Sequence, residues 1–270
     1  MTTKTLAFHS SRGGTGKTVI ATNLAAIWAK KELRIALLDL DFRAPSLAGA
    51  FSNAIEKQPK YWLNDFISGR CKIEQTLIDV TNFYGLKGKF FLGLANPSIE
   101  AIRNTIDKSR TWEVSAVKRL FSMRKTLFKK FNMDYIILDT SPGLQYSSIN
   151  AVVSSDIAII VTTNDEVDLK GSKNLIENLY IELDKKPVVL INKIFPETQT
   201  QIKDTEKEII KKIEKQLKSP IITSMLCYCD VLQAKRTSII AIEKPKHPFV
   251  KNLEMMAKTL FLANKLNIEE

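Results

Sequence analysis

The chain has 270 residues, 44% hydrophobic and 26% charged, an ordinary globular composition with enough apolar material for one large core. Three cysteines, Cys71, Cys227 and Cys229, are too few and odd in number for a disulfide scaffold, and no apolar run approaches the roughly 18 residues of a membrane-spanning helix. The formal charge of +11 favours encounters with polyanions such as nucleic acid or an anionic lipid surface.

No Pro-, Gly- or Ser-rich linker, repeat or low-complexity tract interrupts the chain, so a single domain over 1–270 is expected. Met1 to Thr5 leads into an apolar segment without the charged head, long apolar core and small-residue cleavage site of a leader, which predicts a cytoplasmic protein. Short apolar runs then recur at Leu6 to Phe8, Ile35 to Leu38, Phe90 to Leu94, Tyr135 to Leu138, Ile157 to Val161, Val188 to Ile191 and Ile221 to Met225. Helical stretches separate them, the pattern of an α/β fold with a mostly parallel twisted sheet and helices on both faces. Right-handed crossovers place the loops after the strands along one edge, where such sheets bind ligands.

Between the first two runs stands Ser10-Ser11-Arg12-Gly13-Gly14-Thr15-Gly16-Lys17-Thr18, followed by a helix expected over Val19 to Lys30. Strand, glycine-rich turn and helix in this order make a P-loop, in which backbone N–H groups and the positive helix end surround phosphate. Gly13, Gly14, Thr15, Gly16 and Val19 would then line the phosphates, Lys17 would reach the β- and γ-phosphates, and the Thr18 hydroxyl would ligate magnesium (Mg2+). Ser11 stands where the usual G-x-x-x-x-G-K-[ST] pattern has its first glycine.

From Ala101 to Tyr135 the chain carries nine Lys and Arg against three acids. Val117, Leu120, Phe121, Leu127, Phe128 and Phe131 fall at helical spacing there, with Lys118, Lys125 and Lys129 on the opposite side. This basic face reads either as a surface for polyanions or as a solvated helix face. A last helix over Phe249 to Leu266 would pack Leu253, Met256, Ala257, Leu260 and Phe261 against the core. His9 reads as a strand-end packing residue, His247 as part of a turn, and Trp28, Trp62 and Trp112 show no spacing for stacking bases.

The segment R-G-G-T-G-K-T resembles the deviant Walker A motif K-G-G-x-G-K-T of the ParA/MinD ATPase family, and the likeness continues along nearly the whole chain. Leu38-Asp39-Leu40-Asp41 is similar to its switch I, and Asp134 to Gly143 is similar to its Walker B strand and switch II. Asn192 matches the asparagine that reads adenine. The resemblance implies ATP bound between two face-to-face subunits of a homodimer. Arg12 would stand for the signature lysine that crosses to the partner's phosphates. Asp41 would orient the attacking water, and Asp139, with Thr18 and Asp41, would serve magnesium. Hydrolysis would be weak, stimulated by a partner protein, and would act as a timer.

Three branches of the family fit. A ParA-like ATPase coats DNA nonspecifically and partitions chromosomes or plasmids, which the basic stretch favours. A MinD-like ATPase positions cell division from the membrane through a basic, apolar C-terminal helix. Here Glu269 and Glu270 end the chain and oppose anionic lipid, so membrane binding is the less favoured. An Mrp-type iron–sulfur carrier is suggested by Asp41-Phe-Arg-Ala-Pro45-Ser46-Leu47 and by Cys227-Tyr-Cys229, although that pair is usually spaced by two residues and reads more readily as two small side chains near the adenine pocket. A bacterial tyrosine kinase would need a C-terminal tyrosine cluster, and no tyrosine follows Tyr228. A non-hydrolysing adaptor is disfavoured by Lys17, Thr18, Asp41 and Asp139. The expected location is cytoplasmic, peripheral to nucleoid or membrane when ATP is bound.

Overall fold

A computed structural model describes residues 4–106, 110–195, 202–235 and 237–266. Lys108, one of the nine basic residues counted between Ala101 and Tyr135, and the terminal Glu269 and Glu270 lie outside the described residues. Eight strands run β1 Lys4–His9, β2 Arg34–Leu40, β3 Leu77–Asp79, β4 Lys89–Gly93, β5 Tyr135–Thr140, β6 Ile157–Thr162, β7 Val188–Ile194 and β8 Ile221–Leu226. The helices of the first half are α1 Lys17–Lys30, α2 Leu47–Ala50, α3 Leu63–Ile67, α4 Ile99–Ile106 and α5 Arg110–Phe131. Those of the second half are α6 Tyr146–Ser154, α7 Glu166–Asn174, α8 Ile202–Leu217, α9 Cys229–Gln233, α10 Ile240–Glu243 and α11 Pro248–Leu266.

All eight strands form one sheet in the order β3-β4-β2-β5-β1-β6-β7-β8. Every pairing is parallel except that of β3 with β4. The predicted α/β class with a mostly parallel sheet is the observed one. Because β5 lies between β1 and β2, register sets Phe8 beside Asp139 and Asp139 beside Asp39. The loops after these three strands therefore open on one edge, at the point where the chain winds to either side of β1.

Alternate side chains feed two cores, as the period-two geometry of a strand requires. Leu6, Phe8, Tyr135 and Ile137 meet α1, α10 and α11 on one face, while Ala7, Ile136 and Leu138 meet residues of α3, α5 and α6 on the other. Trp28 of α1 lies flat on Tyr135, ring centroids 4.1 Å apart, so its role is packing.

Helix α5 is longer than predicted and begins at Arg110, because Trp112 and Ala116 continue its inward stripe through Leu120, Met123 and Leu127. Phe121, assigned to that stripe from sequence, is instead exposed. It lies one helical step outside the buried line. In α11, Leu253, Met256, Ala257 and Leu260 are buried as expected.

Trp28→Ala removes a nearly fully buried indole and should lower stability by about 3–5 kcal/mol, measured as a shift in the urea unfolding midpoint. A loss under about 1 kcal/mol would show that the α1 face repacks freely.

Candidate nucleotide site

The turn between β1 and α1 is shaped by its glycines. Gly16 is the residue before the helix and has φ 98°, with no side-chain cap on the first turn. That left-handed conformation is costly for any residue with a Cβ. A Cβ at Gly16 would also collide with the Asn192 amide. The first amides of α1 thus face the loop without a side-chain partner, the arrangement in which a helix end receives an anion.

Lys17 is buried, and its Nζ donates to Ser10 Oγ at 2.7 Å. Burial lowers its pKa, while Asp139 and Asp41 oppose that shift. Thr18 Oγ1 donates to Asp139 Oδ2 at 2.6 Å. The other oxygen, Asp139 Oδ1, is buried with no hydrogen-bond partner among the described residues. Burial raises the Asp139 pKa to about 6 against the lowering effects of Thr18 and Lys17. A hydroxyl beside a half-satisfied buried carboxylate is a donor set suited to magnesium, which takes hard oxygen ligands and keeps several waters.

Asp39 and Asp41 take different parts. Asp39 is fully buried and accepts the backbone N–H groups of Asp41 at 3.0 Å and of Ser46 and Leu47 at 3.2 Å. It folds the loop after β2, and burial, then Asp139, drives its pKa well up. Asp41 is half-buried, and its Oδ1 accepts from Ser141 Oγ at 2.7 Å and from the Ala44 N–H at 3.1 Å.

Arg12 is tied within its own chain. Its Nε donates to Asp168 Oδ1 and its Nη2 to Asp165 Oδ1, the latter at 3.1 Å. Asp165 also caps α7 by accepting the Val167 and Asp168 N–H groups. The acids raise the Arg12 pKa, first through the Asp168 hydrogen bond. Helix α7 also explains the serine in place of the first P-loop glycine. A Cβ on Gly171 would stand 2.7 Å from the Ser11 side chain, so the glycine that Ser11 displaces is compensated by one on the facing helix.

A cavity of about 530 Å³ extends from Gly13, Gly14, Gly16, Lys17, Thr18 and Val19 past Asp41 to Asn192, Lys193, Tyr228, Val231 and Leu232. One end is polar and flanked by the helix terminus; the other is walled by apolar and aromatic groups. Asn192 Nδ2 donates to the Thr15 carbonyl at 2.8 Å and Lys193 Nζ to the Gly14 carbonyl at 2.7 Å, so the end of β7 clamps the loop. Leu226 and Tyr228 line the cavity. Cys227, half-buried, and Cys229, exposed, are not among its lining residues, and burial followed by the Cys229 charge pushes the Cys227 thiol up. No cluster of three or more His, Cys, Asp or Glu residues that would hold a metal occurs among the described residues.

A family profile described as an AAA domain matches residues 3–188. The chain belongs to the ParA/MinD family of P-loop ATPases. The septum site-determining protein MinD of Bacillus subtilis is 29% identical over 186 residues, which cover 68% of this chain and 63% of that protein. An uncharacterised protein of Pseudomonas putida is 29% identical over 65% of this chain and 62% of its own length. The matched segment is thus less than two thirds of either relative. In fold, the chain is similar to a putative plasmid partition protein from Borrelia burgdorferi solved with AMPPNP, with TM-score 0.74 and 22% identity over 97% of this chain and all of that one. It is also similar to MinD of Pyrococcus horikoshii complexed with Mg-ADP, with TM-score 0.71 and 17% identity over 96% of both chains.

The sequence-assigned residues Gly13, Gly14, Gly16, Lys17, Thr18, Val19, Asp41 and Asn192 all border one cavity, and Asp139 joins it through Thr18. Ser10 and Ser141 stood inside the quoted P-loop and switch II segments without a role of their own, and Asp165, Asp168 and Lys193 were missed. Lys193 had a signal, its adjacency to Asn192; Asp165 and Asp168 announce themselves only through contacts across the fold.

His9 is buried, with Nδ1 3.0 Å from Tyr180 Oη and Nε2 2.8 Å from the Gly143 carbonyl. Those partners suit an Nε2–H tautomer that donates to Gly143 and accepts from Tyr180. Burial, aided by Lys17, lowers its pKa to about 4. The unfolded chain therefore takes up the proton first, and the stability conferred by neutral His9 is present above about pH 6.5 and lost as pH falls toward 4. His9→Gln should flatten this limb, seen as a smaller drop in thermal midpoint between pH 7 and pH 5; an unchanged slope would show that His9 does not set it.

Proposed function

We propose that this chain is an ATP-dependent dimerising switch ATPase whose hydrolysis drives DNA or chromosome partitioning, with intracellular positioning as its close variant. The observation that carries the reading is the meeting of Lys17, the Thr18–Asp139 pair and Asp41 around one cavity that continues into an apolar pocket beside Asn192. The phosphates would lie over Gly13 to Thr18 and the base beside Asn192. Magnesium, when bound, screens the phosphate oxygens and withdraws charge from the breaking bond. Thr18 and Asp139 are the residues that would hold it. Asp41 is better suited to orienting water than to ligating metal directly, because one of its oxygens is already committed to Ser141 and Ala44.

Support for a homodimer comes from exposed apolar residues in the segments that follow β5 and β6. Leu144 and Tyr146, just beyond the β5 loop, and Val167, between the two acids that hold Arg12, are large apolar residues at least 60% exposed. Large apolar side chains left exposed beside charged groups are what a face-to-face partner would cover. For Arg12 to meet a partner's phosphates, its guanidinium must exchange Asp168 and Asp165 for phosphate oxygens, which its planar fork suits. A slow basal rate, raised by a partner protein, belongs to the same reading.

DNA is favoured as the bound surface by α5. Part of its basic excess is used internally: Arg124 pairs with Asp156, Lys130 with Glu74, and Arg119 donates to the Ile67 carbonyl. Lys118, Lys125 and Lys129 are exposed and have no acidic partner within 4.0 Å among the described residues, forming a stripe along the helix. The MinD-like reading, membrane-associated placement of cell division, is favoured by the names of the sequence relatives. No described helix is long and apolar enough to cross a membrane.

Lys17→Ala should abolish ATP binding. Asp41→Ala should keep binding and lose turnover by on the order of 100-fold or more, followed by fluorescent-nucleotide titration and phosphate release; normal turnover in Asp41→Ala would remove the water-orienting role. In co-sedimentation with ATP, DNA affinity should fall steeply with salt. Replacing Lys118, Lys125 and Lys129 together by Ala should reduce the log–log salt slope by about three. Binding to anionic liposomes with none to DNA would establish the MinD-like reading instead.

A further inference from the structure

We propose that Ser141 is a positioning residue for hydrolysis: its hydroxyl fixes the Asp41 carboxylate so that Oδ2 alone is left to receive the attacking water. The inference rests on the water-orienting reading of Asp41 and adds to it a second residue, 100 positions away in the chain.

The hydrogen bond from Ser141 Oγ to Asp41 Oδ1 is 2.7 Å long. A second donor, the Ala44 N–H, reaches the same oxygen at 3.1 Å. Asp41 Oδ2 has no hydrogen-bond partner among the described residues. A carboxylate with one oxygen held by two donors has lost its rotation about the terminal torsion, which is otherwise broad and roughly two-fold. The free oxygen then has a fixed direction, and direction is what water positioning requires, since phosphoryl transfer depends on alignment more than on base strength.

Ser141 is itself held firmly enough to act as a reference point. Its side chain is buried. Its carbonyl accepts from Ser148 Oγ of α6 at 2.6 Å, while the preceding Thr140 Oγ1 donates to the Phe8 carbonyl of β1 at 2.7 Å. The serine is therefore pinned between the strand that carries the P-loop and the helix that follows the β5 loop. The Asp39 carboxylate holds the Asp41 N–H on the other side. Asp41 is thus located relative to β1, β5 and its own loop at once, and Ser141 is the side chain that joins the loops after β2 and β5.

The test uses the full chain with magnesium and ATP. Ser141→Ala should lower kcat about tenfold, the effect of one hydrogen bond to a charged group, with KM and nucleotide affinity unchanged within about twofold. In single turnovers at protein in excess of ATP, the same substitution should leave the residual rate of Asp41→Ala unaltered, because its effect passes through that carboxylate. An unchanged kcat in Ser141→Ala, a KM rising in step with the loss, or the same tenfold loss in both backgrounds would overturn the proposal. Full turnover in Asp41→Ala alone would instead overturn the reading of Asp41 on which it rests, so the two failures are distinguishable.

Discussion

The site depends on the burial of acidic groups at the end of a parallel sheet. Register places Asp39 beside Asp139, both out of water; burial and then the Asp139 charge make Asp39 harder to ionise, and burial with Asp41 does the same for Asp139. Such groups are tolerated only when donors surround them. Asp39 is satisfied by three backbone N–H groups and becomes the pin of the β2 loop. Asp139 is satisfied on one oxygen only. The fold therefore retains an electrostatic imbalance beside the phosphate loop, and a cation brought there with a nucleotide would relieve it. Lys17, buried and lowered in pKa, faces the opposite sign of the same constraint.

Around this centre the loops are fastened to one another rather than left to solvent. His9 bridges the Gly143 carbonyl to Tyr180. Tyr180 closes a π-helical stretch, Leu175–Tyr180, that continues α7. Wider helical turns of this kind are often found at functional sites. At its other end α7 holds Arg12 through Asp165 and Asp168, and in the middle Gly171 admits Ser11. One helical segment thus touches the P-loop at both of its unusual residues and connects with the β5 loop through His9. The two departures from the family pattern are parts of one local solution: side chains larger or more strongly donating than usual meet a facing surface built for them.

Charge is divided by the same logic. On α5, Arg124, Lys130 and Arg119 serve as ties to Asp156, Glu74 and the Ile67 carbonyl, while Lys118, Lys125 and Lys129 meet no acidic group among the described residues. Net charge alone did not separate these roles, since it depends on which side of the helix meets an acid.

The sequence by itself determined the parallel sheet, the P-loop with its helix, and the acids at the ends of β2 and β5. These are carried by local signals: apolar runs of strand length, glycines at fixed spacing, and a lysine and threonine opening a helix. It missed β3, whose three residues take their place only by pairing with β4, and it started α5 too late because the Trp112 and Ala116 stripe is thin. Only the tertiary structure decided that Arg12 rests on Asp165 and Asp168, that Ser11 is matched by Gly171, that Asp39 is a pin while Asp41 faces the cavity, and that Ser141 reaches Asp41. Each is a contact between segments far apart in the chain, set by strand order and register, and no local pattern of residues encodes a distance across the sheet.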